Sequence, residues 1–190
     1  MNLASVEQEA KMLGDLLGAV SIGDEIAPVL SALARDKGED FDVLHFACHG
    51  STDYTQVWNA GLLLNVAGSD KTTLLSVASV QTFANLAVDG QRPLIFLNAC
   101  QSRVTGRTLS GAGGLAQAFV QRGAGLFVGT LWSIGDRPAQ GFASQFYGQL
   151  KAGQSVSQVL RAAREQAKHD LDTSWLAYTV YGHPYARFSP

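Results

Sequence analysis

A chain of 190 residues with 46% hydrophobic and only 16% charged residues can bury one sizeable core; so small a charged share, against about 25% in an average domain, suits a sheet covered on both faces. The formal net charge of −2 offers no polycation for phosphates to meet, which argues against nucleic-acid binding. No apolar run approaches the roughly 20 residues of a membrane-spanning helix, and Met1-Asn2-Leu3-Ala4 lacks a basic-then-apolar leader, so a cytoplasmic protein with no membrane partner is expected.

In chain order, Val6, Ala10, Leu13 and Leu17 recur at helical spacing, with Glu7, Glu9 and Lys11 as the polar face, and predict a helix from Val6 to Leu17. Ala19-Val20 reads as a short strand. Asp24 is placed to cap a second helix carrying Val29, Leu30 and Leu33, ending at Lys37-Gly38. The apolar run Asp42 to Cys48 stops at His49-Gly50 and predicts a strand buried on both faces. A polar stretch from Ser51 to Ser69 carries a small hairpin around Gly61-Leu62-Leu63-Leu64-Asn65, and Leu74 to Leu86 is expected to be helical.

Pro93 to Cys100 repeats the strand design, a small-residue helix follows from Gly111 to Val120, and Gly125 to Trp132 forms a third core strand. Asp136, two residues before Pro138, suits an N-cap; helices at about 137–151 and 155–168, joined near Gly153, and a closing strand from Leu176 to Tyr181 complete the chain. Strands alternating with helices predict a mainly parallel sheet flanked by helices, in one domain over residues 1–190. In open α/β sheets ligands bind beyond the carboxyl ends of the strands, where His49 and Cys100 both stand.

Two cysteines, Cys48 and Cys100, fit neither a disulfide framework nor a CxxC pattern. A nucleophilic thiolate needs an imidazole within reach, and two parallel neighbours about 4.8 Å apart can bring one cysteine and one histidine together at their ends. Cys48, inside its strand, reads as packing. His45 alternates in register with His49 and reads as a group behind that pair or as a hydrogen-bonded core histidine; turns and polar surface account for His169 and His183. The four histidines form no metal-ligand spacing, and Gly111-Ala112-Gly113-Gly114 lacks the rest of a phosphate-loop motif. Neither metal nor cofactor is expected.

His-Phe-Ala-Cys-His-Gly at 45–50 and Leu-Asn-Ala-Cys-Gln-Ser at 97–102 resemble the CHAT domain family, within the caspase-like cysteine peptidases that include metacaspases and separase. The likeness runs on through Leu109 to Ala116, Gly123 to Gly125, Gly129 to Trp132, Asp136, and Tyr178 to Pro184. It implies a three-layer caspase-like α/β fold and a peptidase acting on protein or peptide substrates, with Cys100 as nucleophile and His49 as general base or acid. The backbone N–H groups of Gly50 and Cys100 would form the oxyanion hole. Asp136, Asn98 and Trp132 are candidates for the substrate pocket. Asn98 stands where metacaspases carry an aspartate, which weakens the case for a basic P1 residue. The rival readings are a latent regulatory or scaffold module of the same fold, gated by a partner, and a flavodoxin-like ligand-binding domain. Relatives also carry sequence upstream of the first helix, so the domain is expected to lack its N-terminal portion and to take a regulatory or strand-donating protein partner.

Overall fold

The computed structural model describes residues 3–35, 40–51, 61–98, 110–132, 134–169 and 173–188. The elements are α1 (Leu3–Leu17), α2 (Ile26–Ala34), β1 (Val43–Phe46), β2 (Gly50–Ser51), β3 (Gly61–Asn65), β4 (Thr72–Ser76), α3 (Val77–Phe83), β5 (Leu94–Leu97), α4 (Ser110–Gln121), β6 (Leu126–Thr130), α5 (Asp136–Lys151), α6 (Val156–His169), a 3-10 turn (Thr173–Leu176) and β7 (Tyr178–Gly182).

The main sheet has the order β1-β5-β6-β7, with β1, β5 and β6 parallel and β7 antiparallel to β6. Every residue of β5 and β6 is buried, as their unbroken apolar runs require of strands covered on both faces. Side chains alternate along each strand, so the sheet feeds two cores. Leu44, Phe46, Ile95, Leu97 and Phe127 pack with residues of α2, α3 and α4. Leu94, Phe96, Leu126 and Val128 pack with residues of α1, α5 and α6. The result is the three-layer arrangement expected from the alternation of strands and helices. At the turn entering β6, Gly123 has φ +106°, and a Cβ there would sit 2.5 Å from the Ala87 amide nitrogen. Only glycine supplies both the backbone angle and the room.

A second, three-stranded antiparallel sheet has the order β2-β3-β4. It contains the expected hairpin and extends it, because Thr72–Ser76 is strand where helix was predicted. Leu74 and Leu75 pair with Leu63 and Leu62 across the hairpin, and the helix starts only after Ser76, whose hydroxyl caps it by accepting from the Ser79 N–H. Cross-strand pairing outweighed local helix propensity here.

Three further expectations are corrected. Ala19-Val20 is not a strand, and Val20 is 87% exposed. Asp24 does not cap α2: Glu25 is the N-cap residue, without a side-chain bond, while Asp24 accepts from the Asn65 side chain and ties α2 to the hairpin. Gly135, not Asp136, caps α5, and Asp136 is its first helical residue. The helix stop expected at Lys37-Gly38 lies outside the described residues; α2 ends one turn earlier, on a left-handed Arg35.

Candidate active site

The candidate site is built where β1, β5 and β6 end. β1 and β5 are adjacent and parallel, with Phe46 opposite Leu97 and the Asn98 N–H donating to the Phe46 carbonyl at 2.8 Å. His49 follows Phe46 by three residues, and Cys100 follows Leu97 by three, so equal lengths of chain carry both away from one paired position. His49 is exposed at this end of the sheet. Cys100 lies outside the described residues.

His49 also opens the second sheet. Its carbonyl accepts from the Leu63 N–H at 2.8 Å, with Gly50 directly opposite Leu62. In an antiparallel pair, hydrogen-bonded and non-hydrogen-bonded residues alternate. Gly50 is therefore at a non-hydrogen-bonded position, and its N–H is directed away from β3.

Around these groups the polar and apolar candidates separate. Trp132, two residues beyond β6, is 43% exposed. The Leu131 N–H bonds the Ala177 carbonyl, which brings the half-exposed Leu176 to the same end of the sheet. Asp136 is half-buried at the start of α5. Asn98, expected to border a substrate pocket, is turned inward instead. It is 1% exposed; its amide nitrogen donates to Glu9 Oε1 at 2.5 Å and its oxygen accepts from the Tyr178 hydroxyl at 2.7 Å.

Cys48 packs against the core beside α2, α3 and α4, and burial pushes its thiol up to about 12. A thiol so held is protonated at neutral pH and a poor nucleophile, as its reading as packing requires. His45 stacks on Phe96 at 4.9 Å and shares a 3.0 Å hydrogen bond with the Tyr147 hydroxyl through Nδ1. Its Nε2 is 3.0 Å from Glu9 Oε1 without making a well-aligned hydrogen bond. His183 accepts from the Tyr185 N–H within a turn.

Glu9 is the residue that sequence reasoning misplaced. Counted with the polar face of α1, it is 2% exposed, while Ala10, counted as apolar, faces solvent. The signal was present in the spacing, since Glu9, Leu13 and Leu16 fall on one face at i, i+4 and i+7.

The family model of the CHAT domain matches residues 1–186. The chain belongs to the CHAT domain family. Comparison with solved structures finds the Arg-specific cysteine proteinase gingipain R (RGPB), with a TM-score of 0.59 and 14% identity, over 97% of this chain and 42% of that one. The CHAT chain thus spans less than half the length of that proteinase, and the likeness is one of fold: caspase-like, with a mainly parallel sheet between helices. A search of curated proteins gives no match. Among the described residues of this CHAT domain, no helix is long and apolar enough to cross a membrane.

Proposed function

We propose that this CHAT domain is a cysteine endopeptidase in which Cys100 is the nucleophile and His49 the general base and acid. The observation that carries the reading is the β1/β5 register, in which His49 and Cys100 each follow the paired Phe46 and Leu97 by three residues in sequence. His49 takes the Cys100 proton, and the thiolate attacks the scissile carbonyl carbon to form a tetrahedral oxyanion. The outward-directed Gly50 N–H is suited to stabilise that charge together with the Cys100 N–H. Collapse breaks the C–N bond, the amine leaves with the proton held by His49, and an acyl-enzyme remains. Water, deprotonated by His49, then attacks the acyl carbon; the acid product departs and the thiol is restored.

Substrate contact is proposed for the exposed Trp132, as an apolar wall, and for Asp136, as the acidic partner of a basic P1 side chain. Asn98, bonded inward, supports the site from below rather than touching substrate. The partner is a protein or peptide substrate, and the edge of β1, unpaired among the described residues, favours a second polypeptide that regulates the domain by adding a strand.

Covalent labelling by a cysteine-directed acyloxymethyl ketone tests the dyad. Wild type and Cys48→Ala are expected to label at similar rates, Cys100→Ala not at all, and His49→Ala at least about a hundredfold more slowly. Labelling that survives Cys100→Ala and disappears in Cys48→Ala would overturn the assignment. Labelling only after a partner is added would favour the latent, gated module of the same fold.

A further inference from the structure

Beneath the strand ends runs a chain of buried polar groups. Glu9 projects from α1 into the core that otherwise joins α1, α5 and α6 to the sheet, and nothing apolar explains its presence there. Its Oε1 accepts from Asn98 Nδ2 at 2.5 Å and lies 3.0 Å from His45 Nε2. Asn98 is held from the other side by the Tyr178 hydroxyl of β7, and His45 by the Tyr147 hydroxyl of α5. Three elements, α1, β1 and β7, thus meet at Asn98, the residue after β5, and α5 joins through His45.

Burying a carboxylate is costly unless it is paired, and directional hydrogen bonds to a buried group fix one geometry where apolar packing would tolerate several. Asn98 is the point where this constraint acts. Its main chain is bound to β1 through the Phe46 carbonyl, and both ends of its amide are engaged. It precedes Cys100 by two residues.

We propose that Glu9 is a positioning residue for the Cys100 segment, acting through Asn98. The proposal deepens the peptidase reading and rests on it. Its core is that the donor–acceptor pair between α1 and the end of β5, rather than the charge or packing of Glu9 alone, sets the direction in which the chain leaves the sheet toward the nucleophile.

A role exchange isolates that pair. Asn98→Asp sets two carboxylates against each other inside the protein. Adding Glu9→Gln restores one donor and one acceptor with the roles reversed, and the Tyr178 hydroxyl can donate to either residue at 98. Labelling of Cys100 by the acyloxymethyl ketone should slow at least about tenfold in N98D, as expected for a broken buried hydrogen bond, and return to within about threefold of wild type in E9Q/N98D. Glu9→Leu should slow labelling similarly, at an unchanged concentration for half-maximal rate, because it disturbs the nucleophile and not reagent binding. If N98D does not fold, recovery of labelling in the double variant relative to E9L decides the matter.

A merely structural Glu9 predicts lower melting temperatures with an unchanged labelling rate for the folded protein, and that result would overturn the proposal. Hydrogen exchange of the peptide containing Asn98 separates the two claims. If wild type shows no Cys100-dependent labelling, the peptidase reading fails, yet faster exchange at Asn98 in E9L, reversed in the exchange pair, would still show that Glu9 holds the strand end. Unchanged exchange in E9L would refute the positioning role whatever the activity.

Discussion

At the scale of single residues, Cys48 is defined by its environment. Cys48 is pressed into apolar packing, and its thiol is held at about 12 against an ordinary 9.0; Tyr147, fully buried, is held well above 10.0 by burial and by the charge of Glu9. Both groups are raised in the folded state, so the stability they contribute is complete below about pH 9 and is lost as pH rises toward 12, where the unfolded chain releases protons that the folded chain retains. Cys48→Ala should therefore flatten the alkaline fall in stability, by at most about 1.4 kcal/mol per pH unit. Urea unfolding at pH 8 and pH 10.5 checks this, and parallel curves for the two proteins would show that the Cys48 thiol is not shielded. Sequence alone read Cys48 as packing inside a strand; it does pack against the core, but two residues beyond the end of β1. Glu9 was misplaced because charge normally marks the solvent face of a helix; its spacing with Leu13 and Leu16 hinted at burial, but its partner, 89 residues away, could not be read from that spacing.

Secondary-structure elements were legible where periodicity was unambiguous. The runs expected to end at Cys48, Cys100 and Trp132 contain the three parallel strands, which among the described residues are mostly apolar on both faces. The stretch from Leu74 misled for the opposite reason: Thr72–Ser76 is short, and its partner β3 decides its state through pairing that no local pattern encodes. The start of α5 gives a sharper case. Asp136 was expected to cap that helix, and with Gly135 taking that place its carboxylate remains half-buried in the first turn, where it interacts with the helix dipole for about 0.3–1 kcal/mol. Asp136→Asn should therefore cost little stability. If Asp136 meets the substrate, the same variant should lower kcat/KM for Arg or Lys at P1 far more than for uncharged residues. An equal loss across a P1 library would remove Asp136 from the pocket.

For the molecule as a whole, the sheet is asymmetric. Among the described residues it ends on two edge strands: β7, antiparallel and bonded to β6 alone, and β1, parallel, bonded to β5 alone and leading to His49. An open strand edge exposes a row of backbone donors and acceptors that recruits another strand. We therefore expect the chain by itself to self-associate, or to take up a strand from a regulatory partner, with peptidase activity rising when that edge is filled. Light scattering after size exclusion, paired with activity assays with and without a peptide corresponding to the added strand, tests this. A dilute, fully active monomer indifferent to that peptide would exclude it. The fold class was readable at this scale because it depends on the order of elements; how the edges are completed depends on pairings between distant segments or chains, which composition and periodicity do not record.

His49 stands at a junction with two frames of reference. The three residues before it leave the main sheet at Phe46, while its own carbonyl is pinned to Leu63 in the hairpin sheet. Its backbone is thus tied to two sheets rather than to either one. The hairpin is a lever arm with its fulcrum at the histidine: a small rotation of β3, from a molecule gripping Leu63 or a substitution at the Asp24–Asn65 tie, would swing the ring without altering any residue of the main sheet. A change far out on the hairpin can then retune the candidate site while the core stays as it was.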